Sequence, residues 1–222
     1  MANLLCITVT LIFLLYAGCL AEVDQNRLRG LMLQTKNMLS GIRKMYSVAV
    51  SVTNEQSYNL PATYQTIMQR FNNGVFQDDK LIVAIKGEGQ CHAEWLALGH
   101  VENSNWVGGH LLVIFSYASP CFTTCTNNRN SFNIIAKINT IRGTNKWSNY
   151  AFVFDRVFVP RGAVYNDAMR RRTGDGLMRL GTSIGGLANV FRCYKPRNNS
   201  DFKCVSCSSD GQVTAECIDY NA

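Results

Sequence analysis

The stretch "HLLVIFSYASPCFTTC", residues 110–125, changes character in its middle. Residues 110–118 form an almost unbroken apolar run, which suits a central parallel strand covered on both faces. Ser119-Pro120 then ends the run: serine suits a helix N-cap and proline the first helical position. In a helix opened there, Cys121 and Cys125 stand at i and i+4 on one face, where two thiols can approach one metal ion. The helix N-terminus and a metal both favour thiolate. A strand that runs straight into a helix is the joint from which α/β folds are built.

The flanking sequence continues the pattern. Upstream, Leu28, Leu31, Met32, Met38, Leu39, Ile42 and Met45 recur at helical spacing, interrupted by Gly30 and Gly41. "YSVAVSV", 46–52, alternates as a half-buried strand does. Residues 61–72 predict a short helix opened by Pro61. "KLIVAIKG", 80–87, predicts a more fully buried strand, and helical spacing follows from His92 to Val101. Downstream, the second half of 121–141 is helical, and "YAFVFDRVFV", 150–159, is a strand. Residues 163–183 predict a helix weakened by Gly174, Gly176 and Gly181, and "ANVFRCY", 188–194, closes as a strand. Helix and strand thus alternate through five strands, which predicts one α/β layered domain around one sheet.

The two ends of the chain differ from this middle. The first 21 residues carry no charged side chain, and "LLCITVTLIFLLY", 4–16, is a thirteen-residue apolar run followed by small residues. That length suits a secretory h-region better than a bilayer span, so residues 1–21 are expected to be a signal peptide, with an uncleaved anchor as the alternative. No later segment is long and apolar enough to span a membrane. The domain is expected over 22–196 and a cysteine-rich tail over 197–222. Four of the nine cysteines lie in the last thirty residues: Cys193, Cys204, Cys207 and Cys217. In an oxidising compartment they are expected to form disulfides, with three possible pairings. Asn198-Asn199-Ser200 is a glycosylation sequon that fits secretion. The formal charge of +7 favours polyanionic partners.

A second motif completes the first. "GQCHAEWLALG", 89–99, places His92 and Glu94 two apart at the start of an apolar helix, in a chain with three histidines. Zinc takes imidazole and thiolate ligands, and a catalytic site keeps three protein ligands and an open position. His92, Cys121 and Cys125 are such a set, with Glu94 left to handle protons. H-x-E followed by P-C-x-x-C is the pattern of zinc deaminases; here the cysteines are one residue further apart. The intervening residues hold the rest of one helix, a turn at Gly108-Gly109 and one strand, which can bring two helix starts to one sheet edge.

"CHAE", then "SPCFTTC", then "GLMRLGTSIGGLANV" at 176–190, resemble the AID/APOBEC-like cytosine deaminases. The signal and cysteine tail make the chain similar to the secreted branch, the secreted novel AID/APOBEC-like deaminases. The resemblance covers roughly residues 45–195. It implies a three-layer cytidine-deaminase-like fold, with a five-stranded mixed sheet flanked by helices. It implies Zn2+ on His92, Cys121 and Cys125, and Glu94 as the proton carrier. It also implies that Ala93 offers its N–H to the cytosine carbonyl, and that the carbonyls of Ala118 and Ser119 accept from the amino group. Ala118, with Tyr117 beside it, stands where the family usually has a tryptophan. "FVFDRVF", 152–158, sits at a base-reading loop, which makes Phe154 and Arg156 candidates for base stacking and backbone contact. The expected partner is single-stranded nucleic acid, DNA or RNA, in an extracellular defence role. Two alternatives stand beside this: a deaminase of free nucleosides or bases, and a secreted binding or effector protein that keeps zinc for structure. Outside the motifs, Cys91 reads as a small buried thiol or a redox switch. Arg170-Arg171-Arg172 reads as a solvated helix face or a phosphate track, and Trp95 and Trp106 read as core.

Overall fold

A computed structural model describes residues 23–53, 60, 62–86, 91–197 and 201–221. The segment expected to be a signal peptide, Pro61 and the sequon at Asn198 lie outside the described residues. The described chain runs α1 (Gln25–Met38), β1 (Tyr46–Val52), α2 (Tyr64–Gln69), β2 (Val75–Gln77), β3 (Leu81–Ile85), α3 (Ala93–Glu102) and β4 (Gly109–Ala118). It continues through α4 (Ile134–Gly143), β5 (Trp147–Arg156), α5 (Asp167–Ile184), β6 (Val190–Tyr194), β7 (Lys203–Ser206), β8 (Ser208–Ser209), β9 (Gln212–Val213) and α6 (Ala215–Ile218).

Seven strands form one sheet in the order β2-β3-β1-β4-β5-β6-β7. The β4–β5 and β5–β6 pairs are parallel and the others antiparallel, so the sheet is mixed. β4 is central but parallel on one side only, pairing antiparallel with β1 and parallel with β5. Period two divides its side chains between two cores. Leu112 and Ile114, with Phe152 and Phe154 of β5, meet α3, α4 and α5 through Ala97, Leu98, Ile138, Ile141, Leu177 and Leu180. Leu111, Val113 and Phe115, with Val153 and Phe191, meet α1 and α2 through Leu28, Leu31, Met32 and Ile67. This is the three-layer, α/β arrangement that the sequence predicts, with seven strands in place of five.

The two extra strands have identifiable causes. β2 is three residues long, too short to show a period. It is set by a two-residue turn at Asn73-Gly74, both at positive φ, across which Asn72 and Val75 pair. Asn-Gly is the residue pair that such turns favour. β7 comes from the segment expected to be a non-periodic tail, and it continues the main sheet alongside β6. Cys193 and Cys204 are direct neighbours across that pair and are joined as a disulfide. A second disulfide, Cys207–Cys217, fastens α6 to the residue between β7 and β8, closing the loop that holds the small β8–β9 ribbon. Of the three pairings that the sequence allows, the fold takes this one.

Gly108 and Gly109 start β4 where three strands come close. Gly108 has φ +92, and a Cβ there would lie 2.0 Å from the Lys146 carbonyl oxygen, while the Gly109 N–H donates to that same oxygen at 2.9 Å. Gly108→Ala is expected to destabilise the disulfide-intact protein by about 2–3 kcal/mol. Gly30→Ala, inside α1 with open space around it, is expected to stabilise it by about 0.5–1 kcal/mol. Urea unfolding midpoints of the two variants check both.

Candidate active site

The site forms where β4 leaves the sheet and α3 begins. His92 takes the N-cap position of α3 but makes no capping hydrogen bond with its side chain. Its ring turns instead to the β4 exit, where Nδ1 lies 2.9 Å from Cys125 Sγ and 3.7 Å from Cys121 Sγ. The two sulfurs are 3.6 Å apart.

The segment that carries the cysteines is a turn, not the helix that the sequence predicts. The Thr126 N–H reaches back five residues to the Cys121 carbonyl at 3.1 Å, a wider closure than the α-helical four. The Cys125 N–H points at Cys121 Sγ. Ser119 does not cap this segment: its hydroxyl accepts from the Phe158 N–H at 2.9 Å, and its own N–H donates to the Arg156 carbonyl. The helix, α4, starts later under a different cap, Asn133, whose side chain accepts from the Ala136 N–H. Helix α5 holds the turn from outside. Arg179 Nε donates to the Thr126 carbonyl at 2.8 Å, and Gly176 lies so near Thr126 that an added Cβ would come within 2.9 Å of its hydroxyl.

These three residues fit a zinc ion. Zinc–sulfur bonds of about 2.3 Å and zinc–nitrogen bonds of about 2.0–2.1 Å at tetrahedral angles require sulfur–sulfur and sulfur–nitrogen edges of about 3.8 and 3.6 Å. The observed Cys121–Cys125 edge of 3.6 Å and His92–Cys121 edge of 3.7 Å are close to those values, the His92–Cys125 edge of 2.9 Å is shorter, and the ligand atoms all lie within 4.8 Å of one another. The chemistry of the set agrees. Cys121 and Cys125 remain free thiols in a chain whose last four cysteines are all oxidised. The hydrogen bond between the two sulfurs holds the Cys121 thiol down to about 3, and the same bond together with burial pushes Cys125 up. The His92 imidazole is raised, chiefly by its hydrogen bond to Cys121.

Glu94 lies one residue into α3 from Ala93 and is 3 % exposed. A carboxylate in the first turn of a helix is favoured by the unpaired N–H groups there. Ser116 Oγ, itself buried, donates to Glu94 Oε1 at 2.7 Å. Burial pushes the Glu94 carboxyl up, against the pull of that hydrogen bond. A small cavity of about 40 Å³ lies against these groups, lined by Met45, Lys86, His92, Ala93, Glu94, Ser119, Cys121 and Phe158. It has room for an ion and water and less than a pyrimidine ring fills.

Of the residues expected to bind substrate, Ala93 and Ser119 line this cavity and the others do not. Ala118 is buried at the end of β4. Tyr117, one position away on the strand, faces the opposite core, packed against Tyr46 with ring centres 5.4 Å apart and the Arg156 guanidinium over its ring. Phe154 is fully buried in the core under α3, α4 and α5, so it presents no face to a base. Sequence reasoning missed Ser116, Met45, Lys86 and Phe158. Strand alternation was the signal for Ser116, which shares the face of Leu112 and Ile114. Elsewhere, Cys91 is a half-buried free thiol, Arg170, Arg171 and Arg172 are exposed, and Trp106 is core. Trp95 is half-buried, edge-on to Phe132 with Lys137 over its ring.

No curated protein and no solved structure matches the chain. The profile of one family does, over residues 25–221, which takes in the tail as well as the alternating helices and strands. That coverage agrees with the sheet, in which β7 of the tail is a full member, and the two disulfides agree with an extracellular protein. The chain therefore belongs to the family Secreted Novel AID/APOBEC-like Deaminase 1.

Proposed function

We propose that this chain is a zinc-dependent deaminase that converts cytosine to uracil in single-stranded nucleic acid. One observation carries the reading: a buried carboxylate, Glu94, shares a cavity with His92 and Cys121 of a His92–Cys121–Cys125 group of zinc-site dimensions. His92, Cys121 and Cys125 hold the metal. Zinc bound there would supply a hydroxide nucleophile at neutral pH. Deamination forms a C–O bond at C4 and breaks the C–N bond to the exocyclic amine, with the elements of water added and ammonia released. Glu94 carries the proton to the ring nitrogen and then to the leaving ammonia. Ser116 fixes its carboxylate toward the cavity. The N–H of Ala93, the first helical residue, has no intrahelical acceptor and is available to the cytosine carbonyl. Met45 and Lys86 wall the cavity, and both are long, unbranched side chains that can swing aside for a ring.

Protein refolded with zinc is expected to hold about one ion per chain; His92→Ala and Cys121→Ser are expected to lose it, as read by metal analysis. Sequencing of mixed DNA and RNA pools is expected to show C-to-U conversion that falls roughly 100-fold or more in Glu94→Gln with zinc content unchanged. Conversion indifferent to Glu94→Gln, or none with zinc bound, overturns the reading. Ammonia from free cytidine alone assigns the site to nucleosides. Ser116→Ala is expected to lower turnover roughly tenfold while leaving zinc content and oligonucleotide affinity unchanged.

A further inference from the structure

A second concavity lies on the other side of the segment 156–158 from the candidate active site. Arg156 and Val157 line it, whereas Phe158 faces the cavity beside Glu94. The Ser119 contacts to the Arg156 carbonyl and the Phe158 N–H fix that partition. The second cavity measures about 310 Å³ and gathers five cationic side chains, Lys36, Arg156, Arg192, Lys195 and Arg197, against one carboxylate, Asp155.

These cations are not equivalent. Lys36 is committed to Asp155 at 2.8 Å. Arg192 is 3 % exposed and spends its guanidinium on backbone, with Nε donating to the Asp155 carbonyl and Nη1 to that of Asp219, so it builds the wall. Arg156, Lys195 and Arg197 are exposed and have no carboxylate partner among the described residues. Arg197 donates to the neutral amide oxygen of Asn221 and lies over the Tyr220 ring. A concave surface with surplus charge of one sign focuses its field on a counter-charge. At its rim Tyr220 is 43 % exposed, packs on Tyr165 at 5.7 Å and carries the Arg197 guanidinium 5.8 Å from its ring centre, so a cation and an aromatic ring stand together there.

We infer that this cavity is a phosphate subsite for a single-stranded nucleic acid, in which Arg156, Lys195 and Arg197 hold backbone phosphates and Tyr220 stacks a flanking base. This rests on the neighbouring cavity being the site that takes the target base. The exposed ring distinguishes a nucleotide strand from a sulfated glycan, which offers anions without bases to stack. The tail supplies Arg197 and Tyr220 to its lining, and the Asp219 carbonyl of the tail accepts from Arg192, which forms part of the wall. The cysteine-rich tail is thus part of the binding surface.

The test is fluorescence anisotropy of a labelled oligodeoxycytidylate on the full zinc-loaded chain carrying Glu94→Gln, so that binding is read without turnover. Lys195→Ala/Arg197→Ala is expected to weaken binding at least tenfold and to reduce the slope of log affinity against log salt by about 1.4, two phosphates' worth at roughly 0.7 each. Arg156→Gln and Tyr220→Ala are each expected to weaken it several-fold. Lys80→Ala/Lys146→Ala removes the same charge at the opposite edge of the sheet and is expected to change it by less than threefold. Thermal unfolding shows that each variant is folded. Equal losses from both lysine-containing pairs, or heparin affinity that falls while oligonucleotide affinity holds, overturn the inference. A binding defect confined to the pocket variants, with no conversion of cytosine by the Glu94 protein, leaves the subsite standing and removes only the deaminase reading. Conversion with oligonucleotide affinity unchanged in every pocket variant removes only the subsite.

Discussion

The parallel pairing of β4 with β5, from Gly109 opposite Trp147 to Ala118 opposite Arg156, governs the rest of the molecule. Both strands end at the same edge of the sheet, so the chain must leave β4 where it leaves β5. Ser119 ties the two exits together through backbone and hydroxyl. Everything with chemical potential collects at that edge: the cysteine turn after β4, the N-terminus of α3 above it, and the 156–158 segment that divides the small cavity from the basic one. The pairing is rigid because both strands are covered on both faces, by aromatic and branched side chains that water does not reach.

Much of this was legible in the sequence. The strands show as apolar runs, and helix spacing separates them. The candidate metal group shows because few residue types make zinc ligands and all three lie in two short motifs. The turn at 121–126 was misread as helix because Ser-Pro is a strong opening signal. The residues after it argued otherwise: phenylalanine, threonine and cysteine are weak helix formers, and the polar run Asn127–Asn130 interrupts before Asn133 caps α4. The placing of Tyr117 and Phe154 was also decidable. Alternation assigns residues 112, 114 and 116 to one face and 117 to the other, and the apolar neighbours of Phe154 assign it to the core. What no local pattern carries is which distant segments meet. Lys86 and Met45 reach the cavity, and β7 joins the sheet, through tertiary packing alone.

The charge surplus read from composition acquires a place. It is spread over the surface at large, yet three exposed cations share one concavity beside the candidate site, and the one carboxylate there is already engaged by Lys36. Arg192 shows how the tail is held to that place. A guanidinium with five donors can bind several carbonyls in one plane, as a lysine cannot, and it links β5, β6 and the last residues of the chain.

The candidate metal ligands also have a meaning for the unfolded chain. Cys193–Cys204 and Cys207–Cys217 close loops of 11 and 10 residues, whereas His92 and Cys121 are 29 apart. Because the entropy of loop closure grows as the logarithm of loop length, a cross-link at the longer span restricts the denatured ensemble by about 0.9 kcal/mol more than either disulfide. An ion held by His92 and the two thiols would therefore be a third staple, and the one that joins α3 to the exit of β4. Such an ion would be worth stability to the chain whether or not a base ever enters the cavity beside it.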